Sequence, residues 1–442
     1  MSFPRYPKYK DSGVEWLGEV PEHWVLNQGR RLFTQEREPA RPTDDQLSAT
    51  QKYGVVPQKL FMEMEDQKVA LALNGLNSFK HVEAGDFVIS LRSFQGGIER
   101  SAYPGCVSPA YTVLRPAESI DGRFWSYLLK SKGYIEALQS MTDGIRDGKN
   151  ISYQQFGQII VPAISLPEQI QIADFLDRET AKIDELVVEQ RRLMELLKEK
   201  RQAIISHAVT QGLKPDVAMK PSGTEWLGDV PAHWDATPIK YVAKVGNGST
   251  PSREVPEYWG ETGFPWLNSS VVNARVVTEA EGFVTERALR ECHLPIVAPP
   301  AILVGITGQG RTRGMAAMLG IEATINQHVA YVRPDSTKLD VRYLLRILES
   351  AYLKLRRDSE EAGATKGAIT CEQIGNLRIP LPSLAEQRAI SAFLDIETAK
   401  FDTLTAEAQH AIDLLQERRT ALISAAVTGQ IDVRALTERK AA

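Results

Sequence analysis

Cysteine is scarce in this chain: there are 3 in 442 residues, Cys106, Cys292 and Cys371. They stand too far apart for the paired spacing of a zinc site or a disulfide framework, and read as reduced thiols of a cytoplasmic protein. Histidine is sparse as well, with 7 residues and neither an HExxH nor a His/Cys pair, so nothing in the sequence points to a metal. Long apolar runs are missing. A stretch such as Pro299 to Gly305 is far short of the roughly 20 apolar residues that cross a bilayer. The opening MSFPRYPKYK has no apolar core of a secretory signal. Excess positive charge is missing too, since 52 Lys and Arg against 56 Asp and Glu leave a net charge of −4. That excludes a protein coating nucleic acid through bulk charge, but not one with a local basic face.

Signatures of catalysis are also wanting. There is no nucleophile–base pair, and none of the Asn/Asp-Pro-Pro-aromatic sequences that an adenine methyltransferase uses. Gly305 to Thr312, GITGQGRT, follows an expected strand and approaches the phosphate-binding loop pattern. Arg311, however, stands where a compact lysine ammonium should reach the phosphates. The segment reads poorly as a nucleotide site.

What is present is a repeat. Glu15 to Trp24 reads EWLGEVPEHW and Glu225 to Trp234 reads EWLGDVPAHW. LPEQIQIADFLDRETAKID, Leu166 to Asp184, returns as LAEQRAISAFLDIETAKFD, Leu384 to Asp402. A period of half the chain signals two equivalent halves rather than a solenoid. The stretches between the repeated blocks do not visibly match, so the halves share a frame and differ in content. Trp16, Trp24, Trp226 and Trp234, with Pro21 and Pro231, read as bulky structural anchors of that frame. His23 and His233 read as its packed imidazoles.

Each long repeated segment opens on a capping box, Ser165 with Glu168 and Ser383 with Glu386. No glycine or further proline interrupts the first until Gln211, which predicts about 45 helical residues and about 65 Å of helix. Apolar residues recur at Ile172, Phe175/Leu176, Ile183, Leu186, Leu193, Leu197, Ile204 and Ala208. The second copy has Ile390, Phe393/Leu394, Phe401, Leu404, Ala408, Ile412, Leu415 and Leu422. One helix cannot bury such a stripe alone, so the two are expected to pack antiparallel, with the chain ends as neighbours. Aspartate at Leu186 or Leu404 is expected to collapse the pair. Gly212 and Gly429 punctuate the helix ends.

The intervening regions read as mixed α/β, with strands at 86–90, 111–114, 301–304 and 328–332 and helices at 122–138 and 340–357. Two Gly-rich loops at strand ends combine amide and guanidinium groups, the pair that reads adenine and guanine edges. One carries Arg92, Ser93, Gln95 and Arg100, the other Thr307, Gln309, Arg311 and Arg313. Arg146, Lys149 and Lys366 suit backbone phosphates. Asn268 is either a base-edge reader or a turn residue, and Asn247 reads as a turn. Polar identities between the long helices call for another explanation, because packing alone would let that face drift. Glu168, Gln169, Asp177, Glu179 and Lys182 match Glu386, Gln387, Asp395, Glu397 and Lys400. The frame is therefore expected to show one surface twice, to two copies of one partner.

The paired EWLG-x-VP-x-HW blocks and paired EQ…FLD-x-ETAK-x-D helices resemble the specificity (S) subunit of type I restriction–modification systems, over essentially the whole chain. The resemblance implies an α+β fold in which two mixed α/β target recognition domains are joined by two long helices packed as an antiparallel coiled coil, with a pseudo-two-fold internal repeat. The expected division is an N-terminal repeated segment 1–24, a recognition domain 25–165, a spacer helix 166–213 and a repeated linker 214–235. A second recognition domain 236–383, a second helix 384–431 and a flexible tail 432–442 follow. The resemblance also implies a non-catalytic reader of a bipartite, asymmetric double-stranded DNA site. Its partners would be two methyltransferase (M) subunits bringing S-adenosylmethionine and restriction (R) subunits using ATP and Mg2+; this chain would bind none of these cofactors. The residues alone leave open a subunit serving a combined nuclease–methyltransferase, or a two-domain protein-binding scaffold.

Overall fold

The computed structural model describes residues 3–65, 78–90, 97–141, 151–308, 310–361 and 367–437. Two helices dominate the α+β chain, Leu166–Gln211 of 46 residues and Leu384–Val427 of 44. By contact density the chain divides into two units, Met1–Gln190 with Gln409–Ala442, and Arg191–Ala408, so each unit takes part of both long helices.

In the first unit a four-stranded antiparallel sheet runs in the order Phe33–Glu36, Thr112–Pro116, Phe87–Ile89, Ile98–Arg100. The helix expected at 122–138 is two, Gly122–Leu129 and Lys132–Ser140. The break lies at Ser131, whose backbone is extended (ψ 145°) and whose hydroxyl donates to the Leu128 carbonyl at 2.7 Å. Val25–Gln28 pairs with Ile160–Ala163, which leads directly into the first long helix. That helix and the second one pack antiparallel here. The start of the first lies by the N-terminal segment, where Tyr6 Oη donates to Glu168 at 2.9 Å. The end of the second lies by the same segment, where Tyr9 Oη donates to the Gly429 carbonyl at 3.1 Å. Further along, Asp184 pairs with Arg419 at 3.1 Å. The Asp432 amide donates to the Pro4 carbonyl at 2.8 Å, so residues near the two chain ends are in contact.

In the second unit a five-stranded sheet runs in the order Ala243–Asn247, Val329–Pro334, Ala301–Gly305, Ala316–Leu319, Val276–Val277, with only the last pairing parallel. Its central strand, Ala301–Gly305, is buried at every residue, as its near-continuous apolar sequence requires. Helices Val341–Ser350 and Tyr352–Glu361 cover it. One apolar core joins Ile302, Val304, Tyr343 and Ile347 to Ile205, Ala208, Ile390 and Leu394 of the long helices. Arg201 pairs with Asp402 at 3.7 Å in this unit.

The seam between the helices corrects the expected stripe. Ile183, Val187, Leu197, Ile205, Phe401, Ala408, Ile412 and Leu422 are buried, whereas Leu186, Leu193, Phe393 and Leu404 are exposed. Each step along a helix turns the side chain by about 100°, so choosing Leu186 over Val187 rotates the reading out of the seam. Both helices end on a left-handed glycine, Gly212 at φ +78° and Gly429 at φ +77°. A β-carbon at Gly212 would stand 3.1 Å from the Trp234 ring, and one at Gly429 2.4 Å from Pro21 and 2.9 Å from Trp24. The repeated Trp and Pro thus close on the helix ends through a space that only glycine leaves.

Candidate nucleic-acid interface and partner surface

In the second unit, pairing in register brings Asn247, Gly305 and Val329 to one end of the five-stranded sheet. The loops that follow or precede them carry a chain of polar contacts. Thr307 Oγ1 lies 2.9 Å from His328 Nδ1, Gln327 Nε2 lies 3.2 Å from His328 Nε2, and the Thr250 hydroxyl donates to Gln327 Oε1. Hydroxyl, amide and imidazole held together at a strand end are the groups that address base edges. Only Thr307 was expected from the sequence. Thr250, Gln327 and His328 carry no motif, and only their place in turns flanking strands could have suggested them.

Arg311 is exposed beyond the same sheet end. Its loop is braced from the helix Tyr352–Glu361: Tyr352 Oη donates to the Arg311 carbonyl at 2.9 Å and Arg356 Nη1 to the Gly310 carbonyl at 2.7 Å. Arg313, two residues on, turns inward. It is 4% exposed and bound to Glu360, and its guanidinium occupies the space a side chain at Gly367 would need. A base-reading role for Arg313 is corrected to a structural one. The loop then enters the strand Ala316–Leu319 rather than a helix, so no helix N-terminus meets a phosphate after Gly305–Thr312. Asn268 Oδ1 accepts from the Ser270 amide at 2.7 Å and the Ser270 hydroxyl at 2.6 Å, which makes it a turn cap. Arg100 is exposed at the end of the strand Ile98–Arg100, and its side chain lies across Gly122. Arg92, Ser93, Gln95, Arg146, Lys149, Gln309 and Lys366 lie outside the described residues.

The repeated polar residues divide into two groups. Gln169 and Gln387 are buried and face their own units, not a partner. Gln169 Oε1 accepts from the Asp121 amide at 2.9 Å and Trp125 Nε1 at 3.1 Å, while its Nε2 donates to the Ser119 and Ile164 carbonyls, each at 2.9 Å. Gln387 Oε1 accepts from the Asp340 amide at 2.7 Å, and its Nε2 donates to the Lys338 and Pro382 carbonyls, each at 2.9 Å. Asp121 and Asp340 in turn cap the helices Gly122–Leu129 and Val341–Ser350. Each glutamine therefore fastens a globular body to the start of a long helix.

Glu168 is buried as well, and the expected capping role gives way to another. Its carboxylate accepts from Tyr6 Oη at 2.9 Å and Trp24 Nε1 at 3.1 Å, and lies 3.1 Å from His23 Nε2. Burial and the adjacent carboxylate push the Tyr6 phenol well above its ordinary range. Glu386 is half-buried against His233 at 3.0 Å, and Ser383 does cap its amide at 3.3 Å. Burial alone would raise the Glu386 carboxyl, but hydrogen bonds from His233 and Trp234 outweigh it and hold it low. Asp177 takes Tyr127 Oη at 2.8 Å and Arg123 at 2.9 Å. Asp395 takes the buried Arg346 and also Arg275, each at 2.7 Å. Burial, and secondarily the bond to Asp177, raise the Tyr127 phenol to about 12. The partner-facing expectation is thus corrected for Glu168, Gln169 and Gln387, whose surfaces are consumed internally. Left on the outside are the ion pairs Glu179–Lys182 at 2.7 Å and Glu397–Lys400 at 2.6 Å, with Leu186 and Leu404 beside them.

Among the described residues no group of three or more His, Cys, Asp and Glu could hold a metal ion, and no helix is long and apolar enough to cross a membrane. Residues 231–413 match the family model of the type I restriction modification DNA specificity domain. The chain is 25% identical over 247 residues to a type I restriction enzyme specificity subunit of Escherichia coli, an alignment covering 55% of this chain and 54% of that relative. It is 23% identical over 425 residues to the MjaVIII specificity subunit of Methanocaldococcus jannaschii, covering 94% of this chain and 95% of the other. Among solved structures, a chain described under the assembly and conformational transition of the type I R-M system superposes with a TM-score of 0.70 at 16% identity, over 92% of this chain and 98% of that one. The HsdS subunit of Thermoanaerobacter tengcongensis superposes at 0.54, also at 16% identity, over 93% and 98% of the two chains.

Proposed function

The chain belongs to the family of type I restriction–modification DNA specificity subunits, and from that premise we propose that it reads a bipartite, asymmetric DNA site without catalysing a reaction. Residues 25–165 and 236–383 are the two recognition domains, one for each half-site. The long helices are the spacer that sets the gap between half-sites, and the chain carries a pseudo-two-fold internal repeat. Two copies of a methyltransferase dock on the repeated outer surface and bring S-adenosylmethionine. Restriction subunits join the assembly and use ATP and Mg2+.

The observation that supports this reading best is internal. Two globular bodies of different topology are fastened by the same contacts, Gln169 to Asp121 in one and Gln387 to Asp340 in the other. One frame carrying two unlike readers is what an asymmetric two-part site requires. In the second unit, Thr250, Thr307, Arg311, Gln327 and His328 form the surface assigned to DNA. The experiment is single-molecule sequencing of methylated adenine in a methylation-free host that expresses this chain with its methyltransferase. Two short defined blocks separated by unspecified base pairs are expected. A contiguous motif, or a folded complex that leaves DNA unmethylated, would overturn the reading.

A further inference from the structure

The two copies of the helix surface differ around their aromatic position. On the first helix Phe175 is 1% exposed, because the Phe3 ring stands edge-on against it, with centroids 5.4 Å apart at 90°. The Arg178 guanidinium closes its other side, 5.7 Å from the ring. On the second helix the equivalent Phe393 is 38% exposed, and Ile396, in the place of Arg178, is 61% exposed. Around them the copies agree, since Glu397–Lys400 repeats Glu179–Lys182 and Leu404 at 45% exposure repeats Leu186 at 50%. Phe393, Ile396, Lys400 and Leu404 share one face, spaced as a helix needs to meet another helix.

We propose that the uncovered stripe Phe393–Ile396–Leu404 is the first docking site for the methyltransferase, and that Phe3 competes for the equivalent site on the other unit, so the two copies load with unequal affinity. This rests on the function proposed above. The occupant is read from the covered copy: the site takes an aromatic ring edge-on, flanked by a Glu–Lys pair. The partner element is accordingly an amphipathic helix presenting an aromatic or large aliphatic side chain between charges of both signs. At the second unit it meets an open apolar face. At the first it must displace Phe3 and meets Arg178 where the other site offers isoleucine, which weakens that step.

The test titrates the full chain with its methyltransferase and counts one-copy and two-copy complexes by native mass spectrometry. Two steps about tenfold apart are expected. Ile396→Arg, which gives the second unit the residue of the first at an exposed position, should weaken the tighter step about tenfold without moving the melting temperature. Phe3→Ala should tighten the weaker step and narrow the gap. Equal steps in the unaltered chain, or an Ile396→Arg chain that binds as before, would overturn the proposal while leaving the proposed function in place. Loss of self-association by Ile396→Arg, with methyltransferase binding unchanged, would make a second copy of this chain the occupant and overturn it as well. Failure of the unaltered chain to bind any methyltransferase would instead refute the function on which the proposal rests.

Discussion

Replacing Gln387 by alanine strips three backbone groups of their partner: the Asp340 amide and the Lys338 carbonyl, both part-buried, and the buried Pro382 carbonyl. Each buried group left unsatisfied costs about 1–3 kcal/mol. Against this, alanine no longer loses the ~1.5–2 kcal/mol of rotamer entropy that a buried glutamine gives up. Taking about 1 kcal/mol for each part-buried group and about 2–3 kcal/mol for the buried one, the net loss comes to about 2–3 kcal/mol. Gln416 is exposed on the same helix and serves as the control, for which alanine should change stability by less than about 0.5 kcal/mol. Urea unfolding followed by far-ultraviolet circular dichroism reads the difference as a lowered midpoint at constant slope. Gln387→Glu sharpens the test. Its carboxylate still accepts from the Asp340 amide but faces two carbonyl oxygens, so its folded-state pKa is raised. Its destabilisation should therefore be least below about pH 4.3, the ordinary glutamate value, and grow as pH rises through the raised folded value. A loss under about 1 kcal/mol for Gln387→Ala would mean that water or a shifted side chain satisfies these groups, and would refute the fastening role.

Other substitutions separate buried from exposed positions. Ile183→Asp, in the seam at 5% exposure, should cost more than about 3 kcal/mol, whereas Leu186→Asp, at 50% exposure, should leave the melting temperature nearly unchanged. Arg313→Ala should lower the melting temperature and weaken binding to all DNA sequences, while Arg311→Ala should leave folding intact and relax one half of the methylated motif. His81 is buried with Nδ1 2.8 Å from Asp44 and Nε2 3.0 Å from Glu83, the latter a charge contact rather than an aligned hydrogen bond. Burial alone would pull its pKa down, but the hydrogen bond to Asp44 and the close Glu83 carboxylate outweigh that and raise it. The stability His81 contributes is thus full below about pH 6.5, its ordinary value, and lost as pH rises through the raised folded value. His81→Gln should remove that part of the decline in thermal melts as pH rises above about 6.5; an unchanged pH profile would refute the assignment.

Much of this arrangement was readable from residue patterning. The second long helix opens on its Ser-x-x-Glu cap, whereas Glu168 of the first turns to Tyr6 and Trp24, and each helix closes on a left-handed glycine beside a tryptophan. The register of the seam was not readable, because leucines crowd both sides of the stripe and periodicity cannot separate Leu186 from Val187. The polar identities were seen, but their direction was not. A repeated Gln169 and Gln387 look the same in sequence whether they face a partner or a main-chain amide. Arg311 and Arg313 show the same limit, since only the path of the loop past Tyr352 and Gly367 sends one outward and the other in. Thr250, Gln327 and His328 meet only because strands far apart in the chain end together.

Among the described residues the Gln387 side chain bonds main-chain groups alone, and Gln169 adds the Trp125 ring to the same pattern. A joint of this kind is nearly blind to the side chains of the body it holds. Recombination within the repeated blocks could therefore import a foreign reading domain and find its seat already made, provided that a helix arrives with its capping amide in place. New DNA targets would then arise by exchange of whole domains, with no compensating change in the helices that carry them.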